Sequence, residues 1–450
     1  MSTFGGIEQA SGALDAARYG LSIVSQNIAN AGTTGYTRQA AQQASVDGAP
    51  GVPSIYTRPT GPGGVTITGT TRLNDPILDA RSRTEHARSG STDTTASTLS
   101  AIEGVFPEPS DNGLSEQLND FWNSWASVAN DPGSTAPRTV LLQKAATVTS
   151  TLNAMSTTLS DIGASTAQSL DQGVAAANSD AGQLATLNGQ IAVATATGAN
   201  ANALLDQRDV LLGRLSASVG GVATINPNGS ADVSVGGQPL VSGVSTTALS
   251  VTGTSQVAVG ATTVALTGGS AAAEVVALTS TIPGYQSRLD AVATALAGSV
   301  NSAQAGGYDL AGNSGGPLFT GSSAATIGVA IVAPTALAAS GTPGGNLDGS
   351  NALALSRQGT AAASPDTTYA DLVGSIGSAA SLANQQQVTQ AAVTTSVDAL
   401  RTSVSGVNYD EEVSNMLTFQ HAYSAASRVL TTVDSMLDTL INHTGLVGLQ

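Results

Sequence analysis

The hydrophobic positions at the amino-terminal end of this 450-residue chain repeat every seven residues. Large apolar residues fill one position of the repeat, and smaller ones fill the position three residues later. This pattern predicts a helix that buries a narrow stripe against another helix. Most other positions are polar or small, so we expect the helix to be marginal in isolation. The large residues are Ile7, Leu14, Leu21 and Ile28, and the smaller ones are Ala10, Ala17, Val24 and Ala31.

A matching repeat near the carboxyl terminus predicts the partner of this helix. Its first position holds Met416, Tyr423, Leu430 and Leu437, and its second holds Phe419, Ala426, Val433 and Leu440. Two stripes of equal length indicate that the terminal helices pair as a coiled coil. The pattern leaves open whether they pair within one molecule or between neighbouring molecules.

Between the two ends, apolar residues recur mostly at spacings of three and four, which predicts further helices. These cover 74–106, a short run from about 113, 137–198, a short run at 204–212, a stretch from about 285, and 368–404. Over 220–280 the period changes to two between Gly-rich turns, which predicts a small antiparallel β domain. A helix of roughly 55–60 residues after Pro137 implies an elongated molecule.

The predicted fold class is therefore mainly α with an inserted β domain, in an elongated multi-domain protein whose terminal helices pair. A chain of this length accommodates several domains. The predicted domains are a terminal coiled-coil domain of 1–36 and 408–450, a helical-rod domain with an extended arm of 37–215 and 285–407, and an inserted antiparallel β domain of 216–284.

Composition narrows the class of protein. Aromatic residues make up 3% and charged residues 10% of the chain, both below average usage, so we expect thin cores of aliphatic and small side chains. The formal net charge of −16 argues against binding to nucleic acid or to anionic membranes. The longest apolar run, 327–339, is interrupted by Pro334 and is too short for membrane insertion. No Sec-type signal is visible, which predicts a cytosolic protein or one exported without a cleaved signal.

The residues that catalysis and metal binding require are scarce. The chain has no cysteine, and His86, His421 and His443 belong to no H-E-x-x-H string. A G-x-S-x-G string occurs at 312–316, but Pro317 follows it and the flanking strand and helix are not predicted. We therefore expect no enzyme activity, no cofactor and no metal. Long helices with two apolar ends indicate a subunit that assembles through repeated contacts.

Several short segments resemble those of a known family. The stretches 25–30 and 34–36 resemble the amino-terminal signature shared by bacterial flagellar rod, hook and hook-associated proteins. The continuation to Gln39, together with the runs 113–121, 204–209, 307–313 and 405–412, is similar to the family of the first hook-associated proteins. The signature residues are Asn27, Asn30, Gly35, Tyr36 and Arg38.

The resemblance implies a structural adaptor subunit at the hook–filament junction of the bacterial flagellum. Its partners would be the flagellar hook protein, the second hook–filament junction protein, copies of itself in a ring, and a cytosolic export chaperone. Export would use the flagellar type III apparatus without signal cleavage, and the final location would be extracellular.

We expect both terminal helices to form the assembly interface. On the first helix the expected residues are Ile7, Leu14, Leu21, Val24 and Ile28. On the last helix, where the resemblance also implies chaperone binding, they are Met416, Phe419, Tyr423, Leu430, Val433, Leu437 and Leu440. The alternatives are a flagellin-type filament subunit and a secreted, non-flagellar adhesin or enzyme. The segments 34–39 and 407–412 argue against a flagellin.

Overall fold

Helices dominate the structure, and the strands are short. The computed structural model describes residues 3–46, 63–253, 255–344 and 347–443. Within these residues the helices are α1 (Thr3–Asn30), α2 (Pro76–Glu103), α3 (Leu114–Asn130), α4 (Thr135–Thr197), α5 (Asn202–Val219), α6 (Ser270–Val276), α7 (Ile282–Ala305), α8 (Ser350–Ser356), α9 (Pro365–Ser405) and α10 (Tyr409–Asp438). The strands are β1 (Gln39–Val46), β2 (Gly64–Arg72), β3 (Val222–Ile225), β4 (Ala231–Val235), β5 (Gln238–Ser242), β6 (Ser245–Thr246), β7 (Leu249–Thr252), β8 (Gln256–Val259), β9 (Thr262–Val264), β10 (Phe319–Thr320) and β11 (Gly328–Val329). The predicted fold class, mainly α with an inserted β region, is confirmed.

Local capping groups set the ends of the long helices. The Asp75 side chain accepts hydrogen bonds from the first turn of α2, and Pro76 occupies its first position. Gly198, with a φ of 71°, ends α4 in the left-handed conformation that glycine adopts without strain. Asn408 caps α10. These boundaries agree with the sequence signals, and α4, at 63 residues, exceeds its predicted length and extends for about 95 Å.

A first core, rich in aromatic rings, surrounds α3. It joins α3 to the first half of α4, to α7 and α8, and to the start of α9. Trp125 and Phe121 are fully buried, with their rings edge-on and 6.3 Å apart. The indole nitrogen of Trp122 donates to Asp366 Oδ2 at 2.8 Å. The aromatic residues that are buried in the described part of the chain therefore lie together in this core.

A second core lies along the other half of α4. Leu170 to Ile191 of α4, the buried face of α5, and α6 pack against two antiparallel sheets, β3-β4-β5-β6 and β7-β8-β9. The strands have no separate hydrophobic core, because their buried side chains belong to the one shared with α4 and α5. The predicted bounds of the three domains stay predictions.

Two asparagines attach these sheets to α4. Asn188 is 1% exposed, and its amide group donates to Ala231 O at 2.8 Å and to Gly243 O at 2.7 Å. Its carbonyl oxygen accepts from Ala231 N at 2.8 Å. Asn178 exchanges the same pair of hydrogen bonds with Leu249, each 2.8 Å long. Both side chains therefore satisfy backbone groups at strand ends that burial against a helix would otherwise leave unpaired.

Polar contacts join α2 to α9. Arg401 Nε lies 2.7 Å from Asp79 Oδ1, and Ser82 donates to Asp398 at 2.8 Å. Gln390 donates to Glu85 Oε2 at 2.9 Å. Among the described residues, no helix has both the length and the apolar character that crossing a bilayer requires.

We expect Asn188→Ala to lower the free energy of unfolding by about 1–3 kcal/mol, because it leaves buried backbone groups of β4 without partners. Gln190→Ala, an exposed change two residues along the same helix, is the matched control and should change stability by less than about 0.5 kcal/mol. Urea unfolding followed by circular dichroism measures both. Equal midpoints for the two variants would contradict this role of Asn188.

Candidate assembly interface

The first and last helices pack antiparallel against each other in a register that repeats every seven residues. Gly6 faces Val433, with its Cβ position 3.8 Å from Val433 Cγ2, and Gly20 faces Phe419. Asn27 donates to Glu412 Oε2 at 3.1 Å. The spacing between successive contacts is the same along both helices, so one register holds from the start of α1 to its end.

Small side chains fill the contact surface of α1. A Cβ atom on Gly20 would overlap the ring of Phe419, so only glycine admits the ring this closely. Ala10, Ala17 and Val24, which lie between these contacts, are 3–5% exposed. On α10 the matching buried residue is Ala426, at 8%.

On α1, the contact position that was predicted to hold large residues is displaced by one residue. The predicted large residues are all half-buried, and Ala31 is exposed. The contact position instead holds Gly6, Gly20 and Asn27, since large side chains there would hold α10 away. The half-buried residues are Ile7, Leu14, Leu21 and Ile28. Their role in contacts between subunits, and that of Val24, stays a prediction.

The hairpin β1–β2 covers a second face of α1. Tyr19 Oη lies 2.7 Å from Thr70 Oγ1, and a Cβ atom on Gly12 would be 2.9 Å from the carbonyl oxygen of Val65. Ala16 and Ile23 are 4% and 6% exposed. α1 is thus held between α10 and the hairpin, which leaves only part of its surface open.

A buried hydrogen-bond network, which we call the terminal lock, fixes the end of α1. Asn27 is 1% exposed. Its amide group donates to Gln39 O at 2.9 Å as well as to Glu412, and its carbonyl oxygen accepts from Tyr36 Oη at 2.7 Å and from Gln39 N at 3.0 Å. All of its hydrogen-bonding capacity is used by two residues that follow α1 and by Glu412 of α10.

Arg38 ties the same network to α10. Its Nε donates to Glu412 Oε1 at 2.7 Å, and its Nη1 donates to Glu411 Oε2 at 2.6 Å. Glu412 is 1% exposed, so its charge is desolvated and depends on Arg38 and Asn27 for compensation. The backbone nitrogen of Arg38 also donates to Ser405 O at 2.8 Å. These contacts connect the end of α9, the start of α10 and β1.

The run at 204–209 forms the other side of the lock. Arg72 Nη2 lies 2.9 Å from Asp206 Oδ1 and 2.7 Å from Asp209 Oδ2. Gly35, at a φ of 80°, lies against Val210, whose side chain a Cβ atom would overlap. Four of the five signature residues therefore converge where α1, β1, α5 and α10 meet. The fifth, Asn30, donates to Gln26 O within α1 and lies outside the lock.

Burial raises the pKa values of two groups in the lock. It raises the pKa of Tyr36 to about 12, with further contributions from the charges of Asp206 and Glu412. Burial also raises the pKa of the Asp206 carboxyl, although Arg72 opposes the shift. Tyr36 is therefore a neutral hydrogen-bond donor throughout the physiological range.

Of the charged members of the lock, only Arg38 was named from the sequence. Glu412 and Arg72 had no predicted role, and the 204–209 run entered only through the resemblance. Buried charges leave no periodic signal. The one available clue was an arginine beside the first helix and two glutamates beside its predicted partner.

Several apolar side chains of the last helix remain exposed in the single chain, although the helix packs against α1. On α10 they include Leu417, Tyr423, Val429 and Met436, each at least 40% exposed. Leu440 and Ile441, in the turn that continues α10, are exposed as well. The other predicted residues of α10 are half-buried: Met416, Phe419, Leu430, Val433 and Leu437. The described residues contain no group of three or more His, Asp or Glu placed to bind a metal.

Comparisons with known proteins identify the family. The family model described as "Flagellar hook-associated protein FlgK helical domain" matches residues 99–319. The models for the "Flagella basal body rod protein" and for the "Flagellar basal body rod FlgEFG protein C-terminal" match 7–37 and 401–443.

Relatives and a solved structure agree with these matches. Flagellar hook-associated protein 1 of Bacillus subtilis is 30% identical over 504 residues, covering 99% of both chains. The protein of the same name from Salmonella typhimurium is 30% identical over 226 residues, covering 50% of this chain and 40% of that protein. The flagellar hook junction protein FlgK from Burkholderia pseudomallei has the same fold, with a TM-score of 0.66 at 18% identity over 72% of this chain and all of that one.

The terminal matches and the paired end helices define an axial protein of the bacterial flagellum. Within that class, the chain belongs to the family of flagellar hook-associated protein 1. The fold places four of the five residues named from the resemblance, together with the 204–209 run, in one lock.

We expect Glu412→Gln to detach α10 from the lock, because it leaves Arg38 without its buried counter-charge. Removing one partner of such a pair costs about 3 kcal/mol. Hydrogen exchange of the amides of α10 measures the effect as faster exchange near its first turns. Glu411→Gln, whose side chain is 57% exposed, is the control and should change little. Equal exchange in the two variants would contradict the lock.

The raised pKa of Tyr36 predicts an alkaline effect. Because the neutral phenol is favoured in the folded chain, its contribution to stability is complete below pH 10 and is lost as the pH rises through about 12. The difference in melting temperature between the native chain and Tyr36→Phe should therefore shrink or reverse above pH 10. A difference that stays constant from pH 8 to pH 11.5 would show that Tyr36 is not desolvated.

Proposed function

We propose that this chain is a structural adaptor subunit at the hook–filament junction of the bacterial flagellum, assembling through its terminal helices. The observation that carries the proposal is the set of exposed apolar side chains along α10, on a helix that already packs against α1. Exposed apolar surface of this extent is stabilised by burial against another protein.

The division of the molecule into a rigid body and a weakly packed end supports the proposal. The first and second cores bury large side chains completely, whereas α10 has only two buried residues, Glu412 and Ala426. The terminal helices therefore rely on few internal contacts, and contacts with neighbouring subunits complete their packing. The mechanism is assembly, and it requires no catalytic step.

The proposed partners are consistent with the hook association named for the relatives and with these exposed side chains. Copies of the chain in a ring, the hook protein on one side and the second junction protein on the other would bury α10 after assembly. Before assembly, a cytosolic export chaperone would cover the same apolar side chains. Export through the flagellar type III apparatus without a cleaved signal would bring the chain to the extracellular flagellum.

A charge among the exposed apolar residues of α10 tests this function. Val429 is 50% exposed, so Val429→Asp should leave the melting temperature of the purified chain unchanged. In the assembled state the carboxylate would be buried without a partner, at a cost of several kcal/mol. We expect cells carrying only this variant to have at least about tenfold fewer attached filaments, counted by electron microscopy.

Val193→Asp provides the matched control, because Val193 is an equally apolar, 64% exposed residue on α4. It should support normal numbers of filaments. Normal filaments with Val429→Asp would overturn the proposal. Long filaments formed by the purified native chain alone would favour the alternative, a flagellin-type subunit.

A further inference from the structure

Arg83 of α2 lies at the meeting point of two clefts outside the terminal helices. One cleft, of about 370 Å³, lies between α2, α5 and α9 and reaches the turn at Thr34 and Gly35. The other, of about 280 Å³, lies between α2 and the edge strand β3. Arg83 lines both and is partly buried.

The guanidinium group of Arg83 has no partner among the residues that the structure describes. It makes no ion pair within 4.0 Å and no hydrogen bond there, unlike Arg72, Arg208 and Arg401 around it. A guanidinium group carries five N–H donors and stays charged at physiological pH. Burial lowers the pKa of Arg83, and the charges of Asp209 and Asp79 oppose that shift. An unused, partly desolvated charge of this kind is costly to keep.

Each oxygen of the two carboxylates near Arg83 already accepts a hydrogen bond from another residue. Asp79 accepts from Arg401 through Oδ1 at 2.7 Å and from Asn74 through Oδ2 at 3.0 Å. Asp209 accepts from Arg208 through Oδ1 at 2.7 Å and from Arg72 through Oδ2 at 2.7 Å. Neither needs Arg83, so the local network is complete without it. The arginine is therefore free to pair with a group from outside the chain.

We infer that Arg83 is a docking site for an aspartate or glutamate side chain of a neighbouring copy of this chain. The inference rests on the proposed function, in which copies lie side by side in a ring. It goes further by naming a contact on α2, away from the terminal helices α1 and α10.

Charge identifies a second copy as the occupant. The chain has 31 acidic residues and 15 Lys or Arg, so an identical neighbour presents mainly carboxylates. Many of the basic residues are already paired within the chain, as Arg38, Arg72, Arg208, Arg214 and Arg401 are. A carboxylate entering either cleft would form a bidentate pair with Arg83 and would replace the solvent that burial has partly removed.

The test compares Arg83→Gln with Arg81→Gln in the full chain. Arg81 is an exposed arginine on the same helix and makes no ion pair among the described residues, so the two variants lose the same charge. A photo-crosslinking amino acid in place of Thr84, an exposed residue of the β3 cleft, reports the neighbour in flagella isolated from cells. Melting temperatures of the purified variants report folding.

We expect the crosslinker at position 84 to join two copies of the chain in the native background. Arg83→Gln should lower the yield of that product about tenfold, which is the loss expected for one charged hydrogen-bonded pair, with an unchanged or higher melting temperature. Arg81→Gln should leave the yield unchanged.

Equal yields in the two variants would overturn the inference while leaving the proposed function intact. Crosslinking to the hook protein instead, or no crosslink in flagella that contain the chain, would also overturn it. Absence of the native chain from isolated flagella would instead contradict the proposed function itself.

Discussion

The buried carboxylate of Glu412 is the constraint on which the terminal part of the structure depends. Its charge is removed from water and is balanced by Arg38 and by the amide of Asn27, residues more than 370 positions earlier in the chain. A desolvated charge keeps its partners in place because separation leaves it uncompensated. The start of α10 is therefore tied to the end of α1, and through Arg38 to β1 and the end of α9.

The rest of the terminal pair is held much more weakly. Beyond the lock, α1 offers α10 glycines and alanines, and small side chains bury little apolar area. The two helices approach each other closely at Gly20, because the ring of Phe419 occupies the space that a side chain at this position would fill. Apolar residues along α10, from Leu417 to Met436, remain exposed beside this contact. Such a thin contact suits an end that completes its packing beside other subunits.

Polar side chains do much of the joining elsewhere in the molecule. Asn178 and Asn188 attach strands to α4, and Asp79, Asp398 and Glu85 organise the contact between α2 and α9. The chain has only 3% aromatic residues, and the buried ones concentrate in the first core. With few large apolar groups available, directional hydrogen bonds fix the position of each sheet and of the long helices.

The sequence alone determined the features that depend on near neighbours in the chain. Helix limits at Asp75, Gly198 and Asn408 could be predicted because a cap is made by residues a few positions apart. The heptad repeats identified the terminal helices as partners, and the positions of Ala10, Ala17 and Val24 were correctly placed in the seam. The family resemblance followed from short motifs in order.

Tertiary structure decided which residues do the pairing. A heptad pattern favours large residues, so it selected Ile7 and Leu21 where the contact uses Gly6 and Gly20. The reason that glycine is needed at position 20 is the ring of Phe419, on a helix at the other end of the chain. In the same way, the sequence around Arg72, Glu412 or Arg83 does not show whether the charged side chain forms an ion pair in the folded chain. That distinction depends on which groups the fold brings within hydrogen-bond distance, and no periodicity records it.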